Sequence, residues 1–448
     1  MKMSSTLIPP DEALRMVLQT AQPAAPRPVP LLDAVGLRLA EDERADRDYP
    51  PFDRAMMDGY AVRLADAGSE PAVEIAGQLV AGQTASARLM PGTCIEIMTG
   101  AACPEGTEAV VPKEHVVREG QSARFLGELR FQQHMALRGS ECRGGSVVLR
   151  AGDRITPLAV GVLASVGLRE VRIVPAPTLG ILTTGGELIG SGQLPGSVQI
   201  RDSNGPMLAA MAIAGGLVPA RMLHAGDDIG AIVAALEAMQ DCDLVVLTGG
   251  VSMGRYDLVP ESFRQIGAER LFHKVSQKPG KPLLFARRGR QLFFGLPGNP
   301  LAAHLCFHRY VSAAIRRWCG QRVDAPERRM GRLLEPVRPG GSRTWFLLGR
   351  AERAGDAERE WSLQPLPGCS SADLFGTSQA NCYLEVPPGD QPLSAGQTLA
   401  FEWLAWDSSA ECHPVRQRNR EQDNRLPGGS VPLGFVVPPP GGSGSVGF

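Results

Sequence analysis

Asp243–Thr248 reads DLVVLT and runs directly into GGVSMG at 249–254. An unbroken apolar run of this length, closed by threonine and a glycine pair, lacks the alternation of a half-exposed strand. It predicts a strand buried on both faces of a parallel sheet, with a glycine loop at its carboxyl end. The same grammar recurs on either side. Upstream, TLGILTT (178–184) ends in Gly185-Gly186, and LVPARML (217–223) leads into AGDD (225–228). Downstream, GLPGNP (295–300) repeats it. Between these runs lie helical patterns: one from about Ser203 with Pro206 near its start and Gly215-Gly216 at its end, one carrying Ile232, Val233, Leu236 and Met239, one at about 257–266 and a long one at about 300–318. Strands alternating with helices of this length predict an α/β domain with an open, mostly parallel sheet.

The flanks read differently. Leu14, Val17, Leu18 and Ala21 recur at helical spacing after Pro10-Asp11, predicting an amphipathic N-terminal helix. From about 31 to 176 short β-type runs dominate (VEIAG, CIEIM, EAVVP, ARFLGELRF, SVVLR), followed by an apolar helical segment and the strand REVRIVP. Pro175-Ala-Pro177 marks a boundary, and after Pro326 strands return (RMGRLLEP, TWFLLGRA, EWSLQPL, CYLEVP, QTLAFEWL) as a small all-β unit. The tail from about 408 is polar and then rich in proline and glycine, a composition expected to stay disordered.

Composition narrows the function. The chain has 448 residues, 46 basic and 47 acidic, with a net charge of −1; a globally basic nucleic-acid binder is excluded. The 52 glycines and 37 prolines, one residue in five, fit many turns and short strands rather than a helical bundle. Nine scattered cysteines without a C-x-x-C pair read as thiols of a reducing compartment. No apolar run is long enough to span a bilayer, so the expectation is a soluble, cytoplasmic protein with no membrane partner.

Five of the basic residues are lysine, and three of those, Lys274, Lys278 and Lys281, fall within KVSQKPGK. In a chain that otherwise uses arginine, this clustering points to a place for compact ammonium groups, the point-charge partners of tetrahedral oxyanions. In an open α/β sheet, ligands bind at the carboxyl ends of the strands. There the sequence puts Glu187, Asp227, Asp228, Gly249, Gly250, Ser252 and Asp257 beside the KPGKP and LPGNP turns. Glycine loops at helix starts are anion cradles. Carboxylates next to an anion are consistent with a bridging divalent ion, Mg²⁺, held by Glu187, Asp227 and Asp257. For Asp228, helix capping is an equal reading. His304 and His308 lack an H-E-x-x-H context and are expected to pack or cap.

FDRAMMDGYAV (52–62), IMTGA (97–101), TGGVSMGRYD (248–257), KPGKP (278–282) and GLPGNP (295–300), in this order and spacing, resemble the molybdopterin molybdenumtransferase family, MoeA and the E domain of gephyrin. The resemblance covers residues 8 to 403. It implies a four-part subunit: a linker domain (27–45 and 147–176), a β-rich domain (46–146), a molybdopterin-binding α/β domain (8–26 and 177–326) and a C-terminal β-barrel (327–407). It implies a homodimer whose second subunit contributes to the active-site cleft. The implied reaction takes adenylyl-molybdopterin and molybdate, with Mg²⁺, to molybdenum-molybdopterin and AMP. Implied partners are a molybdopterin adenylyltransferase and apo-molybdoenzymes, met transiently. Asp58, Thr99, Glu187, Asp227 and Lys278 take the catalytic positions. Gly249, Gly250, Ser252, Lys274, Lys278, Lys281, Pro297, Pro300 and Ser371 take the binding positions. Gly186, Ala302 and Leu348 stand where the family has an acid, a serine and an arginine. They leave a second reading open, a molybdopterin-binding scaffold with reduced or lost turnover.

Overall fold

The computed structural model describes residues 7–67, 72–83, 88–250, 258–321, 327–353, 360–366, 371–377 and 379–404. All belong to one unit. Ser252, Asp257 and the expected disordered tail lie outside the described residues.

DLVVLT forms the strand Leu244–Thr248, buried throughout. It pairs in parallel with Leu179–Thr184 on one side and Gln291–Leu296 on the other, in a six-stranded sheet whose edge strands are Arg221–Ala225 and Glu269–His273. Four strands are parallel. The fifth, Leu284–Arg288, runs antiparallel to them, and the sixth, Glu269–His273, pairs antiparallel with the fifth and so runs in the direction of the first four. Alternate side chains divide between the two faces. Ile181, Leu244 and Val246 join Leu208 and Phe307, while Leu182, Val245 and Leu247 join Ile232, Leu236 and Phe263. The helix Pro10–Thr20 lays Ala13, Leu14 and Val17 on the first of these faces, where they join a core whose members beyond Ala21 run from Leu179 to Trp318.

The remaining units follow the predicted strands closely. Residues Gly59–Val62, Thr93–Ile97, Val73–Leu79, Ala109–Pro112, Val116–Glu119 and Ser122–Phe125 form a six-stranded sheet. Arg27–Pro30, Glu170–Val174 and Arg38–Leu39 form a three-stranded one beside the helix Pro157–Ser165. At the C-terminal end Thr344–Arg353, Trp361–Pro365, Arg328–Leu333, Thr398–Trp403 and Cys382–Val386 close on themselves, because the first strand also pairs with the last. Closure removes the sheet edges.

Three local departures have physical causes. ARFLGELRF does not stay extended: the strand ends at Phe125, and Gly127 turns the chain at φ +87°. Lys274 lies one residue beyond its strand, at φ +76°. The long helix from Pro300 to Trp318 contains a π-helical turn at Phe307–Val311. Such turns interrupt helices frequently at functional or constrained positions. Here the turn carries Arg309, fully buried and paired with Glu402 of the barrel. Arg309 and Arg328 also reach Asp11 of the first helix, and Arg309 stacks 4.1 Å over the Phe346 ring. Below this seam Leu301 and Leu305 pack on Phe346, Leu348 and Tyr383. His304 Nδ1 and the Tyr383 hydroxyl lie 2.6 Å apart. Burial pushes the His304 imidazole down to about 4, so it is neutral near pH 7 and serves packing, as expected.

Removing one partner of a buried pair strands the other charge, at a cost of about 3–5 kcal/mol. Arg309→Met is therefore expected to lower the urea midpoint by that equivalent, and adding Glu402→Gln to recover much of it. A single variant as stable as the parent would refute the role given to this seam.

Candidate functional site

The parallel register brings Thr184 level with Ala225, and Thr248 level with both Thr183 and Leu296. The loops that follow these four strand ends must therefore emerge on one edge. They line a cleft of about 1270 Å³ that the barrel covers from the other side. Gly249 sits at φ +102°, and a Cβ there would come within 2.3 Å of the Thr184 carbonyl oxygen, so only glycine allows this loop to cross so close to its neighbour. The Thr248 hydroxyl donates to the Pro297 carbonyl at 2.9 Å. Asn204 Nδ2 donates to the Gly298 carbonyl at 2.8 Å and to Thr248 Oγ1 at 3.1 Å. Buried side chains at a strand end (Thr248) and a helix start (Asn204) thus hold the Pro297–Pro300 turn in place.

Lys278 and Lys281 both line this cleft. The turn between them is set by Gly280, at φ +88°, where a Cβ would lie 2.6 Å from Gln277 Nε2 and 2.7 Å from Cys306 Sγ. Gln277 is itself buried and accepts from the Tyr310 hydroxyl at 2.5 Å. Gln277–Lys278 adds a short parallel strand to Thr344–Trp345 of the barrel. The Lys278 ammonium rests over the Trp345 ring, 4.4 Å from its centroid. Lys274 is not among the lining residues; its backbone N–H bonds the Leu283 carbonyl and its carbonyl accepts from Ile8. The barrel contributes Ser371, whose hydroxyl accepts from Asn299 Nδ2 at 2.8 Å and whose carbonyl accepts from the Leu301 N–H at 3.0 Å.

Glu187, Asp227, Gly249, Gly250, Pro297 and Pro300 line the same cleft. Asp227 Oδ2 accepts from the Gly186 N–H at 2.9 Å, which leaves its other oxygen for a ligand. Asp228 instead caps the helix Ile229–Glu237 through the Ala231 N–H at 2.8 Å, so the capping reading holds there. Among the described residues no group of three His, Cys, Asp or Glu is gathered for a metal. Two exposed carboxylates on adjacent loops are an oxygen-only donor set. That chemistry fits Mg²⁺, which takes one or two carboxylates and keeps places for water and phosphate oxygens. Ala302 and Leu348 present apolar side chains to the cleft.

Asp58 and Thr99 are brought together, but not to this cleft. Asp58 Oδ1 accepts from both Thr99 Oγ1 (2.6 Å) and the Thr99 N–H (2.8 Å). These bonds, the hydroxyl first, hold the Asp58 carboxyl below the usual range. The residues that sequence reading missed are Trp345, Asn204, Thr248 and Tyr383. Buried threonines closing parallel strands were a legible signal; the register that puts Trp345 against Lys278 was not.

Comparison with known proteins finds three family models in succession along the chain. Residues 8–167 match the family described as MoeA N-terminal region (domain I and II), 180–317 one described as a probable molybdopterin binding domain, and 330–404 the MoeA C-terminal region (domain IV). The molybdopterin molybdenumtransferase of Bacillus subtilis (strain 168) is 36% identical over 416 residues, 91% of this chain and 96% of that protein. The one from Staphylococcus aureus (strain Mu50) is 31% identical over 412 residues, 90% and 97% of the two chains. The crystal structure of a molybdopterin biosynthesis moeA protein from Pyrococcus horikoshii OT3 superposes with a TM-score of 0.72 at 28% identity, covering 89% of this chain and 100% of that one.

Because the Thr99 hydroxyl is the largest cause of the Asp58 shift, Thr99→Val is expected to raise the Asp58 pKa toward the ordinary carboxylate value. The sign follows from linkage: a depressed folded-state pKa favours the folded state above the unfolded value, and that contribution fades as pH falls through the folded value. Carboxyl-carbon NMR titration of parent and variant reads it. An unmoved Asp58 would show that the hydroxyl bond does not hold the carboxylate.

Proposed function

The chain belongs to the molybdopterin molybdenumtransferase family and is an enzyme of molybdenum cofactor biosynthesis; from that membership we propose that its cleft takes adenylyl-molybdopterin and molybdate to molybdenum-molybdopterin and AMP. The observation that carries the reading is the meeting of Lys278 and Lys281 with Ser371, Glu187 and Asp227 around one cleft.

Two ammonium groups on a turn fixed by Gly280 supply preorganised positive charge for a molybdate dianion. Ser371, held by Asn299, keeps its hydroxyl hydrogen for an oxyanion oxygen. Gly249 and Gly250 let the pterin substrate approach the backbone closely. Glu187 and Asp227, with Asp257, are the residues that would hold Mg²⁺. That ion, when bound, offsets charge on the adenylate phosphate. Water cleaves the bond that joins the adenylate to the pterin's own phosphate, releasing AMP; the two dithiolene sulfurs take the molybdenum of the oxyanion held by Lys278 and Lys281, and one oxo group leaves as water with the two thiol protons.

Asp58 and Thr99 enter this reading through a second copy. They form a bonded pair on the β-rich unit, away from their own chain's cleft, as expected of residues lent across a homodimer. We assign the enzyme to the cytoplasm as such a homodimer; among the described residues no helix is long and apolar enough to cross a membrane. The apolar faces of Ala302 and Leu348 in the cleft favour one rival, a scaffold that binds molybdopterin without turnover.

Purified protein incubated with adenylyl-molybdopterin, Mg²⁺ and molybdate is expected to release AMP and to yield cofactor that activates an apo-molybdoenzyme. Tight pterin binding with no AMP would select the scaffold instead. Lys278→Ala and Lys281→Ala are expected to raise the molybdate requirement while leaving the unfolding transition in place. Unchanged activity at limiting molybdate would remove the lysine corner from the site.

A further inference from the structure

We propose that Trp345 is a positioning residue for Lys278: its indole face holds the lysine ammonium where the tetrahedral oxyanion is taken up, and so sets the oxyanion affinity of the cleft. The inference rests on the reading of the lysine corner given above and adds a residue that reading does not contain.

Three independent features converge on the pair. Lys278 and Trp345 are direct cross-strand partners, because Gln277–Lys278 pairs in parallel with Thr344–Trp345; register alone puts their Cα atoms side by side. The ammonium lies 4.4 Å from the ring centroid, well inside the range of a cation–π contact. Gly340 leaves room for the arrangement. A Cβ there would lie 3.2 Å from Trp345 Cβ, a tight approach, and 3.6 Å from Lys278 Cδ, in ordinary contact, so a side chain at 340 would press on the Trp345 stem beside the lysine. Trp345 itself packs against the barrel core beside Leu347 and Val386, so the ring is a fixed platform. The lysine is the mobile partner.

The chemistry explains why an aromatic face suits this position. A lysine on a four-carbon stem loses rotamer freedom when it is fixed. A carboxylate could fix it, but would also compete with an incoming dianion. Among the described residues Lys278 has no carboxylate partner. A ring quadrupole attracts the ammonium without neutralising it, and leaves N–H donors on the side away from the ring. Lys278 remains exposed, which places the contact at the weaker end of the cation–π range.

The test uses the full-length protein, with molybdate alone as ligand in calorimetric titration and molybdate KM in the AMP-release assay. Trp345→Leu is expected to weaken molybdate binding about two- to fivefold, raising KM with kcat little changed, and Trp345→Phe to fall between. In a Lys278→Met background, Trp345→Leu is expected to change nothing further. Global replacement of tryptophan by fluorinated analogues keeps the shape of the barrel. It is expected to lower affinity stepwise with fluorine number in the parent, but not in Trp345→Phe. If Lys278→Met weakens binding while Trp345→Leu acts equally with and without Lys278, or fluorination has no graded effect, the inference is overturned and the lysine corner stands. If Lys278→Met leaves molybdate binding unchanged, the reading of the corner fails and the inference goes with it.

Discussion

Everything at the cleft depends on where four parallel strands stop. Thr184 is locked level with Ala225, and Thr248 with Thr183 and Leu296, by backbone pairing, and the strands ending at Thr184, Thr248 and Leu296 are buried on both faces. Such a sheet cannot slip by one residue without turning its core-facing side chains to the wrong layer. The loops are therefore held by the core rather than by their own contacts, and sparse polar bonds suffice to finish them. Thr248 and Asn204 illustrate this: one hydroxyl and one amide fix the Pro297–Pro300 turn.

The second constraint is the seam between sheet and barrel. Apolar contact alone, Leu301 and Leu305 on Phe346 and Tyr383, would hold the two units together but would tolerate sliding. The buried Arg309–Glu402 pair and its links to Asp11 and Arg328 are directional. They join three segments far apart in sequence, and they do so through a π-helical turn. Specificity of docking is a well-attested use for a buried ion pair, whose net stability contribution is small.

Much of this was legible before any coordinates. Apolar runs ending in glycine pairs gave the parallel strands, and short alternating runs gave the two β units, because burial pattern follows directly from side-chain order. The lysine cluster and the acids of the first two loops could be singled out by charge and position. What stayed hidden depended on pairing between distant segments. Nothing local announces that Gln277–Lys278 extends a barrel strand, that Trp345 meets Lys278, or that Arg309 is buried. Charge groups Lys274 with Lys278 and Lys281, as the lysine on the segment leading into their turn; it has left-handed backbone and is not among the cleft's lining residues. Asp58 and Thr99 were legible only through resemblance, since their bond joins a turn and a strand end 41 residues apart.

The two-residue strand that Gln277–Lys278 lends to the barrel also orders events in time. A ribosome-bound chain that has emerged only as far as the helix ending at Trp318 already holds every strand of the central sheet, and can pack it. Its lysine corner still lacks the rail on which it is aligned, because Thr344–Trp345 has not yet emerged to pair with it. Charge geometry in this protein is thus completed by a unit that follows the sheet in the chain, so a fragment lacking that unit is expected to pack its sheet and yet have no aligned anion seat.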